Sequence, residues 1–249
     1  MKHLLYILVT FILIGCDSEN GLNCFQTAGP IIQVEVEVTP FDRILVEERV
    51  QLIIEKGEEY QVIVETGENL FNDIEVRSEN GLLTLINSNG CNLVRDYGLT
   101  KIHVKTPTLT EIRNSSGLTV ESRGVLEFEE LLLLSEDRDS EDEFHIDGDF
   151  ILNLSVDHLE INANGLSKFY LSGTANSAVL GIYDGEVRID AKNFLVQDVY
   201  LFHRSTQNLI INPQNSIKGK IVSIGDVIAL TRPPVVQVEE LFRGRLIFQ

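Results

Sequence analysis

Apolar and polar residues alternate along most of the chain, most regularly from about residue 152 to residue 236. The same unit recurs there four times: a short alternating strand, a tight polar corner, a second alternating strand. Leu159, Ile161 and Ala163 alternate with Glu160 and Asn162, turn through Asn164-Gly165 and leave by Lys168-Phe169-Tyr170-Leu171. The second unit runs from Val179-Leu180-Gly181-Ile182-Tyr183 through Asp184-Gly185 to Val187-Arg188-Ile189. The third passes from Val199-Tyr200-Leu201-Phe202 through His203-Arg204-Ser205 to Leu209-Ile210-Ile211. The fourth passes from Lys220-Ile221-Val222-Ser223 through Ile224-Gly225-Asp226 to Val227-Ile228-Ala229-Leu230. Period-two alternation marks a half-buried strand, and Asn-Gly or Asp-Gly tolerates the positive φ of a sharp corner.

Gly165, Gly185 and Gly225 lie on a 20-residue grid, with Ser205 at the remaining point. A fixed repeat of about 20 residues is the spacing of a solenoid, whose units bury their apolar stripes on one another. The competing reading is a run of antiparallel hairpins, for which Asn-Gly is also a strong signal. The even spacing favours the β-solenoid.

Residues 31–105 read as a strand-rich first half. Val34, Val36 and Val38 alternate with Glu35 and Glu37, and Leu52-Ile53-Ile54 precedes Lys56-Gly57. Val62-Ile63-Val64 leads to Thr66-Gly67. Ile74 and Val76 precede the Asn80-Gly81 turn, after which Leu83 and Leu85 return, and Ile102 and Val104 close the set before Pro107. These are hairpin-linked strands with acidic outward faces, and helical spacing is nowhere sustained over three turns.

The start of the chain is different in kind. Lys2 and His3 precede an apolar run of eleven residues from Leu4 to Ile14. That is shorter than the roughly 20 residues a membrane span needs, and it fits the core of a signal peptide. The run ends in Leu13-Ile14-Gly15-Cys16, which resembles the bacterial lipobox, followed by polar Asp17-Ser18-Glu19-Asn20. The expectation is a signal peptide over 1–15, lipidation of Cys16 and a tether over 16–30, fixing the protein to a Gram-negative-type membrane. An ordinary signal peptide with an incidental cysteine is the bland reading. Of three cysteines, Cys24 and Cys91 then remain, and an even remainder in an oxidising envelope predicts one disulfide. Two unpaired thiols are the alternative; neither cysteine has a histidine or second cysteine at metal-ligand spacing.

Charge narrows the partners. A formal net charge of -18 and a pI near 4.6 argue against nucleic acid and anionic lipid headgroups. Tryptophan is absent and methionine occurs once, so no aromatic-rich ligand groove announces itself.

A set of short motifs carries a family resemblance. After Asn23-Cys24 come Phe41-Asp42-Arg43-Ile44-Leu45-Val46, then Val50-Gln51-Leu52-Ile53-Ile54-Glu55-Lys56-Gly57, then Gly67-Glu68-Asn69-Leu70. Asn80-Gly81-Leu82-Leu83-Thr84-Leu85, Asn89-Gly90-Cys91-Asn92 and Leu109-Thr110-Glu111-Ile112 follow. With the lipobox, these resemble the putative autotransporter-adhesin head GIN domain family of Bacteroidetes lipoproteins, over roughly residues 40 to 235. The resemblance implies an all-β, right-handed parallel β-helix similar to pectin lyases, with Gly-Ser-Gly corners between its faces. In this chain the corners reduce to Ser115-Ser116-Gly117, Asn164-Gly165, Asp184-Gly185 and Ile224-Gly225, which makes Gly117, Gly165, Gly185 and Gly225 the repeat-corner residues. The expected organisation is a head GIN-like domain over 31–236, split into 31–105 and repeat coils over 106–236, and a C-terminal cap over 237–249. Cell adhesion is the proposed role of the family, and self-association into a trimer is a suggestion made for it.

The remaining candidates are weak. Residues 136–149 form the sharpest acidic run, and Asp137, Asp139, Glu141 and Glu143 could offer oxygens to Ca²⁺. The EF-hand pattern fails, because Asp142 stands where its turn glycine belongs and Gly148 where its bidentate glutamate belongs. A solvated loop, bulging as a longer corner, is the plainer reading. His3, His103, His145, His158 and His203 are scattered, and no hydrolase, zinc or phosphate-loop motif occurs. Asp184, Asp226, Arg188 and Lys168 could converge as lyase chemistry, but acidic corners are the ordinary composition of turns. The expected function is therefore non-catalytic: an adhesin-like module for a glycan or protein ligand. The alternative is an envelope scaffold pairing with itself or another β protein through its edges, where the apolar, locally basic stretch from Leu241 to Phe248 would cap the coil or seat a partner.

Overall fold

The computed structural model describes residues 24–93, 96–141 and 143–249. The expected leader and Cys16 lie outside the described residues.

Alternation becomes strand throughout. The first half contributes β1 (Ile31–Val36), β2 (Arg43–Glu47), β3 (Gln51–Lys56), β4 (Gln61–Gly67), β5 (Ile74–Glu79), β6 (Leu82–Asn87) and β7 (Lys101–Thr106). Next come β8 (Glu111–Ser115), β9 (Val120–Ser122), β10 (Leu126–Ser135), β11 (Phe150–Ala163), β12 (Lys168–Ile182), β13 (Arg188–His203) and β14 (Leu209–Ile221). The chain closes with β15 (Val227–Ala229), β16 (Val235–Glu240) and β17 (Leu246–Phe248). A 3-10 turn at Glu68–Asp73 is the one helical piece among the described residues. All 17 strands belong to one hydrogen-bonded sheet.

The expected right-handed parallel β-helix of pectin-lyase type is overturned. The fold is all-β, a nearly closed, barrel-shaped sheet with mixed strand pairing. A solenoid stacks each coil on the one before it in sequence. Here β2 lies between β6 and β8, and β3 lies between β7 and β9, so the first half is laid down out of order. Three pairings are antiparallel: β1 with β4, β4 with β7, and β5 with β6. The local cause of one is plain. Asn80 and Gly81 take positive φ of 52° and 78°, and fold β5 back on β6 as a hairpin. The hairpin alternative fails in turn for the second half, where β10 to β14 pair parallel, each with the next.

In that half the 20-residue grid is a register. Ile161, Leu180, Leu201 and Gly219 are successive partners across β11 to β14, and Ala163, Ile182, His203 and Ile221 form the neighbouring row. The exit strand of each unit and the entry strand of the next are one continuous strand of 13 to 16 residues. Inward positions fill one apolar core, in which the Phe150 and Phe169 rings stack with centroids 4.7 Å apart. Parallel β14–β16 and β15–β17 pairings carry the sheet to its far end, so the expected boundary between domain and cap falls inside β16. At the near end Cys24 and Cys91 are joined in a disulfide, and Ala28 packs on the backbone of Gly67.

Candidate binding groove

Outward positions of the middle strands make a different pattern from the core. Phe128, Val156, Ala175 and Val196 are register partners on β10 to β13 and face inward or sit half-buried. The residues that follow them, Glu129, Asp157, Asn176 and Gln197, are exposed and form a polar row. On the other side Glu127, Ser155 and Thr174 are register partners in a second row. Adjacent members of a row stand about 4.8 Å apart, the spacing of paired strands. Lys56, Pro107, Thr108 and Thr110 form a facing wall, and the whole encloses an open groove of about 810 Å³.

The wall and the floor are braced. Lys56 Nζ donates to the Pro107 carbonyl at 2.6 Å and lies 4.5 Å from the Phe128 ring centre. Thr110 Oγ1 donates to the Asp42 carbonyl, and the Tyr60 hydroxyl pairs with Thr108 Oγ1. Asn176 Nδ2 donates to Asp157 Oδ1 at 2.7 Å, which orients both side chains. One row further, the Ser216 hydroxyl and then the Asn215 amide hold the Asp198 carboxyl below the usual carboxylate range. The groove thus offers carboxylate, amide and hydroxyl groups beside one aromatic ring, with Glu127, Glu129, Glu130 and Asp157 against a single ammonium. Such a surface repels acidic polymers and suits a neutral polyhydroxylated chain.

The corner residues lie elsewhere and have a structural task. Ile146, Gly165, Gly185, Ser205 and Gly225 stack in one column, each bonded to the next turn through the backbone: the N–H of Leu166 donates to the Ile146 carbonyl, Glu186 to Gly165, Thr206 to Gly185 and Gly225 to Ser205. A Cβ on Gly165 would lie 2.1 Å from the Ile146 carbonyl oxygen, and on Gly225 2.1 Å from that of Gln207. Ser205 is accommodated because its hydroxyl donates to the Val187 carbonyl at 2.8 Å. Gly117, with φ of 70°, turns the chain between β8 and β9 beside Asp147.

The acidic run 136–149 is the longer corner of this column. Asn164 Nδ2 donates to Asp137 Oδ1, and Arg138 covers the Tyr183 ring and pairs with Glu136. Asp139, Glu141 and Glu143 are exposed, Asp142 lies outside the described residues, and no group of three or more potential metal ligands gathers among the described residues. Three of the four lyase candidates have partners of their own. Asp226 Oδ1 accepts the Arg245 N–H, Asp184 Oδ1 accepts the Gly185 N–H, and Lys168 pairs with Asp149. His203 is fully buried between Ile182 and Ile221. Burial pushes its pKa down from 6.5 to about 4, against the opposing pull of the Gly225 and Gln207 backbone and the Asp226 carboxylate.

Sequence reasoning missed the groove residues. The signal was present: Ser155 and Thr174, or Asp157 and Asn176, recur at 19 residues, close to the corner grid. Lys56 and the wall at 107–110 could not be found that way, because the out-of-order stacking of the first half brings them there.

No curated protein matches the chain. Solved structures do. A putative adhesin from Bacteroides fragilis superposes with a TM-score of 0.77 at 17% identity, covering 90% of this chain and 99% of its own. A putative adhesin from Parabacteroides merdae gives 0.62 at 17% identity, covering 89% and 97%. A protein described as a putative lipid binding protein from Parabacteroides distasonis gives 0.61 at 13%, covering 88% and 97%. At these identities the likeness is one of fold. Residues 40–233 match the family described as "Putative auto-transporter adhesin, head GIN domain", and the chain belongs to that family.

Proposed function

We propose that this chain is a non-catalytic, lipid-anchored protein of the cell envelope that works as an adhesin-like binding module, with the lateral groove as its ligand site. The observation that carries the reading is the groove itself: two polar rows on successive strands, braced by Asn176 on Asp157, above an apolar floor with Phe128. The family description supports the adhesin class, and the lipobox-like Leu13-Ile14-Gly15-Cys16 supports an exported, membrane-held protein facing the cell surface or the periplasm. The ligand class is a neutral glycan. The test is a titration of neutral oligosaccharides against the protein and its Asp157→Ala and Asn176→Ala variants, each of which removes one partner of a shared bond. An affinity lowered about tenfold in both is the expected result. Equal binding by all three proteins would remove the groove from the function.

A second reading, an envelope scaffold that pairs with another copy or another β protein, is favoured by the far end of the sheet. Among the described residues β16 pairs only with β14 and β17 only with β15, and Val235, Val236, Leu241, Phe242 and Ile247 are exposed there. Apolar edge strands are templates for further pairing. Sedimentation of the protein beside a Val236→Lys variant separates the readings: association lost in the variant supports the scaffold, and a monomer in both supports the groove.

A further inference from the structure

The two most exposed large apolar side chains among the described residues, Tyr97 at 81% and Leu93 at 68%, belong to the loop between β6 and β7. Phe25, 50% exposed, belongs to the lead-in strand of chain beside them. The three are held together. The Leu93 N–H donates to the Cys24 carbonyl at 3.0 Å, Cys24 is bonded to Cys91, and the Tyr97 hydroxyl donates to the Asn92 carbonyl at 3.3 Å. An apolar group on a free loop tip is common, but one fixed by a disulfide is presented.

Their position gives the occupant. The knot lies at the near end of the sheet, and the chain before it runs to Cys16 eight residues upstream of Cys24. Eight extended residues span at most about 28 Å, so a lipid on Cys16 would keep this end within a short reach of the bilayer. We propose that Phe25, Leu93 and Tyr97 form a foot that docks into the interfacial layer of the membrane carrying the anchor. The proposal rests on the lipid-anchor reading of the function above. An amphipathic tyrosine and a phenylalanine suit the headgroup boundary, where a ring is buried and a hydroxyl stays wet. The net charge of -18 selects a zwitterionic lipid surface over an anionic one. Docking there orients the molecule. From β6 to β16 the ladder makes eight strand steps, which stand the exposed β16 and β17 edge about 38 Å farther along the sheet.

The absence of tryptophan makes the test clean. The Leu93→Trp, Tyr97→Trp and Phe242→Trp variants are expressed from the whole sequence in a Gram-negative host, so that any lipid is added by the cell. The purified products are mixed with phosphatidylcholine–phosphatidylethanolamine vesicles with and without brominated acyl chains. The expected result is blue-shifted emission and bromine quenching at 93 and 97, with neither at 242. Two near-end variants guard against one failing to fold. Protein that floats with the vesicles but is unquenched at 93 and 97 overturns the foot and leaves the anchor standing. Protein that does not float overturns the anchor reading and the foot with it. A blue shift at 93 seen in envelope extract but not in vesicles assigns the patch to a protein partner and overturns the lipid.

Discussion

Replacing His203 with leucine should make the protein less sensitive to mild acid. The ring is fully buried in a row of aliphatic side chains, with Ile182 before it and Ile221 after it, and neither ring nitrogen has a hydrogen-bond partner of good geometry. Its pKa is lowered from 6.5 to about 4. The folded state therefore keeps the ring neutral in a range where the unfolded chain takes up a proton. Because the unfolded state binds more protons, stability rises with pH across this window and is lost as pH falls from about 6.5 towards 4. A full shift of this size corresponds to about 3 kcal/mol, of which about 2 kcal/mol is already expressed at pH 5. The assay is urea unfolding at pH 7.5 and pH 5.0 for the wild type and His203→Leu. Carboxylates titrate alike in both, so the difference between the two pH slopes isolates the ring. The wild type should lose about 2 kcal/mol more than the variant. Parallel slopes would refute the reasoning and mean that His203 can be charged where it sits.

Three further outcomes follow from the same packing. Gly225→Ala places a methyl 2.1 Å from the Gln207 carbonyl oxygen, where only backbone can yield, and should cost about 1–3 kcal/mol in chemical denaturation. Phe169→Ala removes one ring of the stacked Phe150–Phe169 pair from the core and should cost about 3–5 kcal/mol, read in the same way. Replacing Cys24 and Cys91 together by serine opens a closure of 67 residues and should lower stability by about 4 kcal/mol on the chain-entropy treatment, seen as a fall in melting temperature that reductant reproduces in the wild type.

The corner column was legible because a corner needs particular residues. Gly165 and Gly225 meet the carbonyl of the preceding turn, so no side chain fits, and the spacing of the glycines prints the register on the sequence. Asp137 to Glu143 looked chemical because charge density is visible in sequence, whereas Asn164 bonding Asp137 and Arg138 lying over Tyr183 are not. His203 stood at a corner in the sequence reading. Its place in an aliphatic row became visible only when β12 and β14 were set beside it.

By itself the sequence determined that this is an all-β chain, where its tight turns fall, and that its second half repeats every 20 residues or so. Alternation is local and fixes which face is buried, whereas Gly165 and Gly225 mark the repeat because each corner lies against a carbonyl of the turn before it. Only the tertiary structure decided how the strands pair. The same alternating stretch satisfies its backbone in a hairpin, in a coil or beside a strand far along the chain, since the partner supplies the same N–H and C=O groups in every case. That is why β2 between β6 and β8 could not be foreseen, why the expected β-helix gave way to a mixed, nearly closed sheet, and why the groove that joins Lys56 to Asn176 appears in no single stretch of sequence.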